Sequence, residues 1–109
     1  MTGKALAGFD VIRSLGFAAI SAVYASVGAV MAHNVRWMCV TNNTEGDMYF
    51  TTNLARDEIF LAKGANKVID IQSNLGPKDD SYVLAVGTQI SVKQITAPVS
   101  GAVYVEVMY

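Results

Sequence analysis

The segment Ala102–Tyr109, with the sequence AVYVEVMY, is the part of the chain that decides its fold class. Successive side chains of a strand point to opposite faces, so the segment separates into two rows. One row holds Val103, Val105 and Val107, and the other holds Tyr104, Glu106 and Met108. Burial of one valine side chain stabilises a fold by roughly 1.5–3 kcal/mol. We therefore expect the valine row to face a core and the mixed row to be half covered by a neighbour.

Short apolar runs separated by turn residues extend back from this segment to Val35. The predicted strands are Val35–Thr41, Asp47–Thr52, Ile59–Ala62, Lys67–Gln72, Ser81–Val86, Gln89–Ile95 and Ala102–Tyr109. The polar stretch 42–47 (NNTEGD) is typical of a turn, and it predicts a hairpin between the first two of these strands. Strands repeating at about ten residues indicate an all-β fold. We predict an antiparallel β-sandwich of the jelly-roll or Ig-like type, with about 7–8 strands.

The first 34 residues are rich in Ala, Gly, Ser and Val, and we treat 1–34 as an N-terminal arm or strand beside a sandwich domain over 35–109. Either a helix or a strand suits their pattern, although the glycines favour an extended arm. The 22 residues 14–35 carry no formal charge, which is long enough for a transmembrane span. Only nine of those 22 are bulky or aromatic, so a membrane-anchored β-domain stays an alternative reading.

The composition favours a protein that is surrounded by other subunits. Of 109 residues, 52% are hydrophobic and only 16% are charged, which excludes a disordered chain. The net charge of −1 gives no basic surface, so we expect no nucleic-acid recognition. A small chain with so few charges is expected to bury apolar surface in a homo-oligomer. The N-terminal residues predicted to make these contacts are Leu15, Phe17, Ile20, Tyr24 and Val27.

No set of side chains forms a recognisable catalytic or ligand-binding motif. His33 and Cys39 are the only histidine and cysteine, so they cannot supply a structural zinc site, and we interpret them as a loop residue and a small buried hydrophobe. Asp79 and Asp80 lack the spacing of a calcium loop. We predict that the chain is not an enzyme and binds no cofactor, metal or small-molecule substrate. Its tyrosines, Tyr82 and Tyr104 in particular, leave a carbohydrate-binding module as a further alternative.

Several stretches together resemble one family of proteins. They are 40–44 (VTNNT) followed by 46–50 (GDMYF), 60–64 (FLAKG), 68–74 (VIDIQSN), 86–93 (VGTQISVK), 100–105 (SGAVYV) with the terminal Tyr109 and, upstream, 24–28 (YASVG). The pattern resembles small virion structural proteins of tailed bacteriophages. The resemblance implies a β-sandwich subunit present in many copies at the neck or head-tail connector, the tail or the capsid surface. It also implies contacts with other virion proteins after assembly in the host cytoplasm, and it carries over no functional residue.

Overall fold

The alternating valines of the last segment lie in a central strand of a two-sheet sandwich. A computed structural model of the chain describes residues 8–70 and 84–109. These residues form eight strands and one 3₁₀ helix, Phe17–Ala19. The strands are β1 (Arg13–Gly16), β2 (Ala25–Ser26), β3 (Trp37–Thr44), β4 (Met48–Thr51), β5 (Ile59–Leu61), β6 (Asn66–Asp70), β7 (Ser91–Gln94) and β8 (Gly101–Met108).

The strands divide equally between two antiparallel sheets. The first sheet has the order β1-β8-β3-β6, and the second has the order β2-β7-β4-β5. Strand β1 is thus paired with β8, β2 with β7, β3 with β6 and β4 with β5. This nesting of pairs is that of a long hairpin rolled into two sheets, which is the jelly-roll arrangement. The predicted all-β sandwich is confirmed, and of the two types expected the strand order is that of the jelly roll.

The core lies between the inner faces of the two sheets. Val103, Val105 and Val107 are fully buried there, as their alternation predicts. Val40 lies beside Val105 in the same sheet, and Phe50 contributes to the core from β4 of the second sheet. The residues of the other row of β8 are half-buried on the outer face. The sequence alternation of β8 therefore assigns both of its faces correctly.

The predicted hairpin over the stretch 42–47 is wrong, because β3 and β4 belong to different sheets. Strand β3 continues through Thr44, and the chain then crosses from one sheet to the other. Asn42, fully buried at this crossing, donates through Nδ2 to the carbonyl oxygens of Gly46 (2.8 Å) and Leu61 (3.1 Å). Its Oδ1 accepts a hydrogen bond of 2.6 Å from Oγ1 of Thr44. These hydrogen bonds stabilise the connection between the two sheets. The residue types of this stretch alone indicate a hairpin turn instead.

The segment 8–34 takes part in both sheets of its own sandwich. It supplies β1 to the first sheet and β2 to the second, and the 3₁₀ helix stands between them. The stretch 14–35, which the alternative reading takes as a transmembrane span, holds most of β1, the 3₁₀ helix and β2. Within residues 8–70 and 84–109, no helix is long and apolar enough to cross a membrane.

The first three residues of the predicted strand Ser81–Val86 lie outside the described residues, as do the last two residues of the predicted strand Lys67–Gln72. Leu84 makes a single antiparallel bridge to Val35, with hydrogen bonds of 2.7 Å in both directions. Tyr82, Asp79 and Asp80 also lie outside the described residues.

Candidate interface on the outer face of the first sheet

At the end of the first sheet that holds Trp37, the outer face carries mainly aromatic and apolar side chains, whereas Ser14, Thr41, Asn43 and Asn66 lie on the rest of that face. Phe9 lies opposite Met108 across an isolated bridge, and Met108 lies opposite Trp37 in β3. The Phe9 and Trp37 rings meet edge to face, with centroids 6.2 Å apart and planes at 89°. Phe9 is 70% exposed, and Trp37 is half-buried. The only tryptophan of the chain thus lies outside the core.

A second row of side chains runs beside the first. Glu106 of β8 lies opposite Cys39 of β3, and Cys39 lies opposite Val68 of β6. Val68 is 55% exposed, and Ile12, at the β1 end of the row, is 60% exposed. Glu106 is the acidic side chain of this row, and the first row ends at exposed Asp70, opposite Trp37 in β6. We call the two rows together the apolar face; its members are Phe9, Ile12, Trp37, Cys39, Val68, Glu106 and Met108.

A β-bulge shapes the β1 edge of this face. Phe9 is opposite Met108 and Arg13 is opposite Val105, so the three residues 10–12 face only two residues of β8. One extra residue in an edge strand bends that strand and disrupts its ladder. The bulge turns Arg13 inward and leaves both Phe9 and Ile12 on the outer side.

The bulge opens a groove with a volume of about 350 Å³. Phe9 and Ile12 line it together with the carboxylates of Asp10 and Glu106. The backbone N–H of Val11 and the guanidinium of Arg13 donate to Asp10, and they lower the pKa of its carboxyl. Asp10 is also ion-paired to Arg13 at 3.2 Å. Among residues 8–70 and 84–109, Glu106 has no cationic partner within 4.0 Å. Within the described residues, the groove is therefore apolar with one negative charge that has no cationic partner.

The five residues predicted to contact a neighbouring copy do not share one surface. Ile20 and Val27 lie in the core of the sandwich itself, with 6% and 0% exposure, so they are unavailable to another chain. Leu15 is half-buried and packs against that core. Phe17 is 37% exposed at the 3₁₀ helix, and Tyr24 is half-buried on the second sheet. The placement follows from β1 and β2, which supply inward-facing side chains to their own sandwich.

The outer face of the second sheet carries a row of side chains joined to one another by cation–π contacts, an ion pair and a hydrogen bond. The ammonium of Lys93 lies 4.9 Å from the ring centroid of Tyr24 and 5.8 Å from that of Tyr49. Lys93 is also 3.0 Å from Asp57, and the hydroxyl of Tyr24 donates to the same carboxylate at 2.6 Å. Burial of the Tyr24 hydroxyl, together with Asp57, raises the pKa of Tyr24 above its usual range. The rings of Tyr24 and Tyr49 thus already contact the cation of Lys93. Phe60, which meets the ring of Tyr49 edge to face, is the aromatic side chain that stays 49% exposed at the end of this row.

The other residues weighed for chemistry occupy structural positions. His33 is exposed and stacks on the ring of Tyr109, with centroids 3.7 Å apart. Cys39 is half-buried on the apolar face, because its neighbours Met38 and Val40 take the inward positions of β3. The expectation that Cys39 is buried was thus wrong by one strand position. No three His, Cys, Asp or Glu side chains in the described parts of the chain come together as a metal site.

Sequence reasoning missed Phe9, Ile12, Trp37 and Val68 as members of one surface. Trp37, Cys39 and Thr41 alternate with buried Met38 and Val40, and that alternation is the signal that could have placed the tryptophan outside. No comparable signal identifies Phe9, because the bulge shifts the alternation of β1 by one residue. Comparison with known proteins adds no assignment: no family model matches the chain, and no curated protein or solved structure matches it significantly.

Proposed function

We propose that this protein is a structural subunit that acts by assembling with other copies of itself and with further proteins of a tailed-bacteriophage virion. The observation that carries the proposal is the apolar face, where Phe9, Ile12 and Val68 are each more than half exposed beside the only tryptophan. Contiguous apolar surface of this kind marks sites of protein association. Aromatic residues are enriched at the centres of such interfaces.

The fold gives independent support of a weaker kind. Jelly-roll sandwiches occur in viral capsid proteins, and also in lectins and cupins. A shared fold does not fix a function, so the strand order alone favours none of these classes. The resemblance of stretches such as 40–44 and 86–93 to virion structural proteins selects the first of them for this proposal.

The mass of the protein in solution tests the assembly part of the proposal. Light scattering or native mass spectrometry over a range of concentrations should give a multiple of the 11.6 kDa chain. A particle of single-chain mass at every concentration overturns the proposal. Val68→Glu, at the β6 end of the apolar face, should shift the protein toward single chains. The matched control is Val23→Glu, because Val23 is 74% exposed and lies outside that face.

The virion part of the proposal needs a separate measurement. Quantitative mass spectrometry of purified phage particles from an infected host should find this chain at a fixed copy number per particle. Its exclusion from particles that are otherwise complete would overturn the virion assignment, although self-assembly could still be observed.

A further inference from the structure

The loop between β4 and β5 presents an apolar side chain and a cation close together at the surface. Leu54 is 62% exposed, and Arg56, two residues later, has a side chain 77% exposed. In the described part of the chain, the one ionic contact of Arg56 is with Glu58, where Nε lies 3.8 Å from the carboxylate. An exposed ion pair at that distance contributes little. The guanidinium is thus available to a second carboxylate.

Hydrogen bonds hold the loop in this conformation. The hydroxyl of buried Thr51 accepts from the N–H of Leu54 at 3.2 Å, and the side chain of Asn53 accepts from the N–H of Ala55 at 2.9 Å. Glu58 accepts from the N–H of Thr52 at 2.8 Å. Leu54 has a φ of 63°, a left-handed conformation that is unfavourable for leucine. The surrounding bonds therefore fix an exposed leucine in a backbone state that it would leave in a free chain.

The groove beside the bulge has the complementary character. Its walls are Phe9 and Ile12, and Glu106 brings a carboxylate without a cationic partner among the described residues. A carboxylate set between apolar groups is costly to cover unless a cation pairs with it. The occupant best suited to this groove is an apolar side chain with a guanidinium or ammonium beside it.

We propose that the Leu54–Arg56 loop of one copy docks in the Phe9–Ile12–Glu106 groove of the next copy. The inference rests on the proposed assembly function and names the contact through which it occurs. The loop joins strands of the second sheet and the groove lies on the first, so the two contact surfaces differ. Such a head-to-tail contact builds a closed ring or an open filament, according to the rotation between copies.

A two-fold pairing of the apolar faces is the competing arrangement, and charge disfavours it. If the two-fold axis passed near Glu106, the carboxylates of both copies would meet inside an apolar interface. Like charges brought together in such a place are strongly unfavourable. The head-to-tail contact instead gives Glu106 the guanidinium of Arg56.

Charge exchange tests the contact on the full chain. Glu106→Arg and Arg56→Glu should each lower the association constant by at least roughly thirtyfold. The double variant carrying both changes should regain association, because the pair is restored with reversed signs. Lys63→Glu, which makes the same charge change at an exposed position away from the loop and the groove, should associate like the wild type.

The outcomes separate this inference from the function on which it rests. A wild-type protein of single-chain mass would overturn both. An oligomer that neither single reversal weakens, or whose double variant is no better than the singles, would overturn the loop-in-groove contact alone. Leu54→Asn supplies a second readout, since asparagine tolerates a positive φ. It should weaken association without lowering the melting temperature of the subunit; unchanged association would contradict the inference.

Discussion

Nε of Arg13 donates a hydrogen bond of 2.8 Å to the carbonyl oxygen of Ala29, and this bond ties the edge of the first sheet to the loop that follows β2. Nη2 reaches the carbonyl oxygen of Val30 at 3.2 Å. Gly28, with a φ of 68°, provides the space, because a Cβ there would lie 2.8 Å from Cβ of Arg13. The buried guanidinium therefore acts as a clamp within a single chain.

Replacing this clamp should destabilise the fold. Arg13→Met removes the charged donor to the carbonyl oxygens of Ala29 and Val30, and we expect the free energy of unfolding to fall by about 2–3 kcal/mol. Urea denaturation followed by tryptophan fluorescence measures it. Arg36→Met, at an exposed arginine, should change the value by less than about 0.5 kcal/mol. Equal effects of the two substitutions would contradict the assigned role of Arg13.

Asn42 should be far more sensitive to substitution than its neighbour Asn43. Asn42→Ala removes the donor to the crossing between the sheets, and we expect a loss of roughly 1–3 kcal/mol in unfolding free energy. Asn43 is exposed on the same strand, so Asn43→Ala is the matched control.

The sequence Asn42-Asn43-Thr44 also matches a glycosylation acceptor, but the side-chain amide of Asn42 is buried and donates hydrogen bonds to backbone carbonyl oxygens. Deglycosylation of protein secreted from a eukaryotic host should therefore leave the mass of the folded chain unchanged.

Glu45 should make the stability depend on pH in the acidic range. Hydrogen bonds from the Ser100 hydroxyl and from the N–H groups of Val99 and Ser100 lower the pKa of Glu45 to about 2. A carboxyl whose pKa is lower in the folded state stabilises the fold above its unfolded pKa, and that contribution is lost as pH falls toward the folded pKa. Wild-type stability should thus decrease between about pH 4.5 and pH 2. Glu45→Gln should flatten this decrease in urea titrations at a series of pH values.

Ser100→Ala is the companion to that experiment. It keeps the carboxyl of Glu45 but removes the first cause of its low pKa, so an NMR titration should find the pKa closer to its ordinary value. An unaltered titration would show that the Ser100 hydroxyl does not hold this carboxylate. Asp10, Asp57 and Glu58 also have lowered pKa values, so some pH dependence should remain in both variants.

Leu54 should be a position where a polar residue is stabilising. Leu54→Asn relieves the left-handed backbone conformation, and we expect the unfolding free energy to rise by about 0.5–1 kcal/mol. Leu54→Ala keeps a Cβ-bearing residue without the local hydrogen bonding of asparagine, so it should give no comparable gain. Thermal unfolding at a concentration where the protein is a single chain makes this comparison.

Removing residues 1–30 should prevent folding and not merely assembly. The truncation deletes β1 and β2 together with the buried side chains of Ile20 and Val27. We expect loss of cooperative unfolding by circular dichroism and exposure of the core to a hydrophobic dye. A variant that lacks only residues 1–7 keeps all eight strands and should unfold cooperatively. A cooperative, dye-negative protein after removal of 1–30 would contradict the role of β1 and β2.

Residue alternation predicts much of this fold because strand faces depend on local sequence. The alternation in the sequence shows directly that Val103 and Val105 of β8 face the core. The regular spacing of the short strands likewise indicates a sandwich. The partner of each strand cannot be predicted in this way, because pairing depends on contacts distant in sequence. The stretch 42–47 has the composition of a hairpin turn, yet the buried amide of Asn42 directs it across the sandwich.

The sequence predicts that the protein has a candidate interface, but it does not predict which residues form it. Low charge and high apolar content indicate exposed apolar surface, but they do not say which residues supply it. The expected contacts Ile20 and Val27 are in the core, because β1 and β2 pair with distant strands β8 and β7. Phe9 joins the apolar face through a bulge that no alternation rule anticipates.

The extra residue between Asp10 and Arg13 makes the β1 edge depend on the length of this segment as well as on its side chains. A single-residue deletion there would leave two residues facing two residues of β8, so Phe9 would stay opposite Met108 and Arg13 opposite Val105, each on its present face. The ladder would be uninterrupted, and the groove beside the bulge would close. Loss of one codon would therefore remove this groove while the phenylalanine stays outside and the arginine inside, which no single exchange of side chains could do.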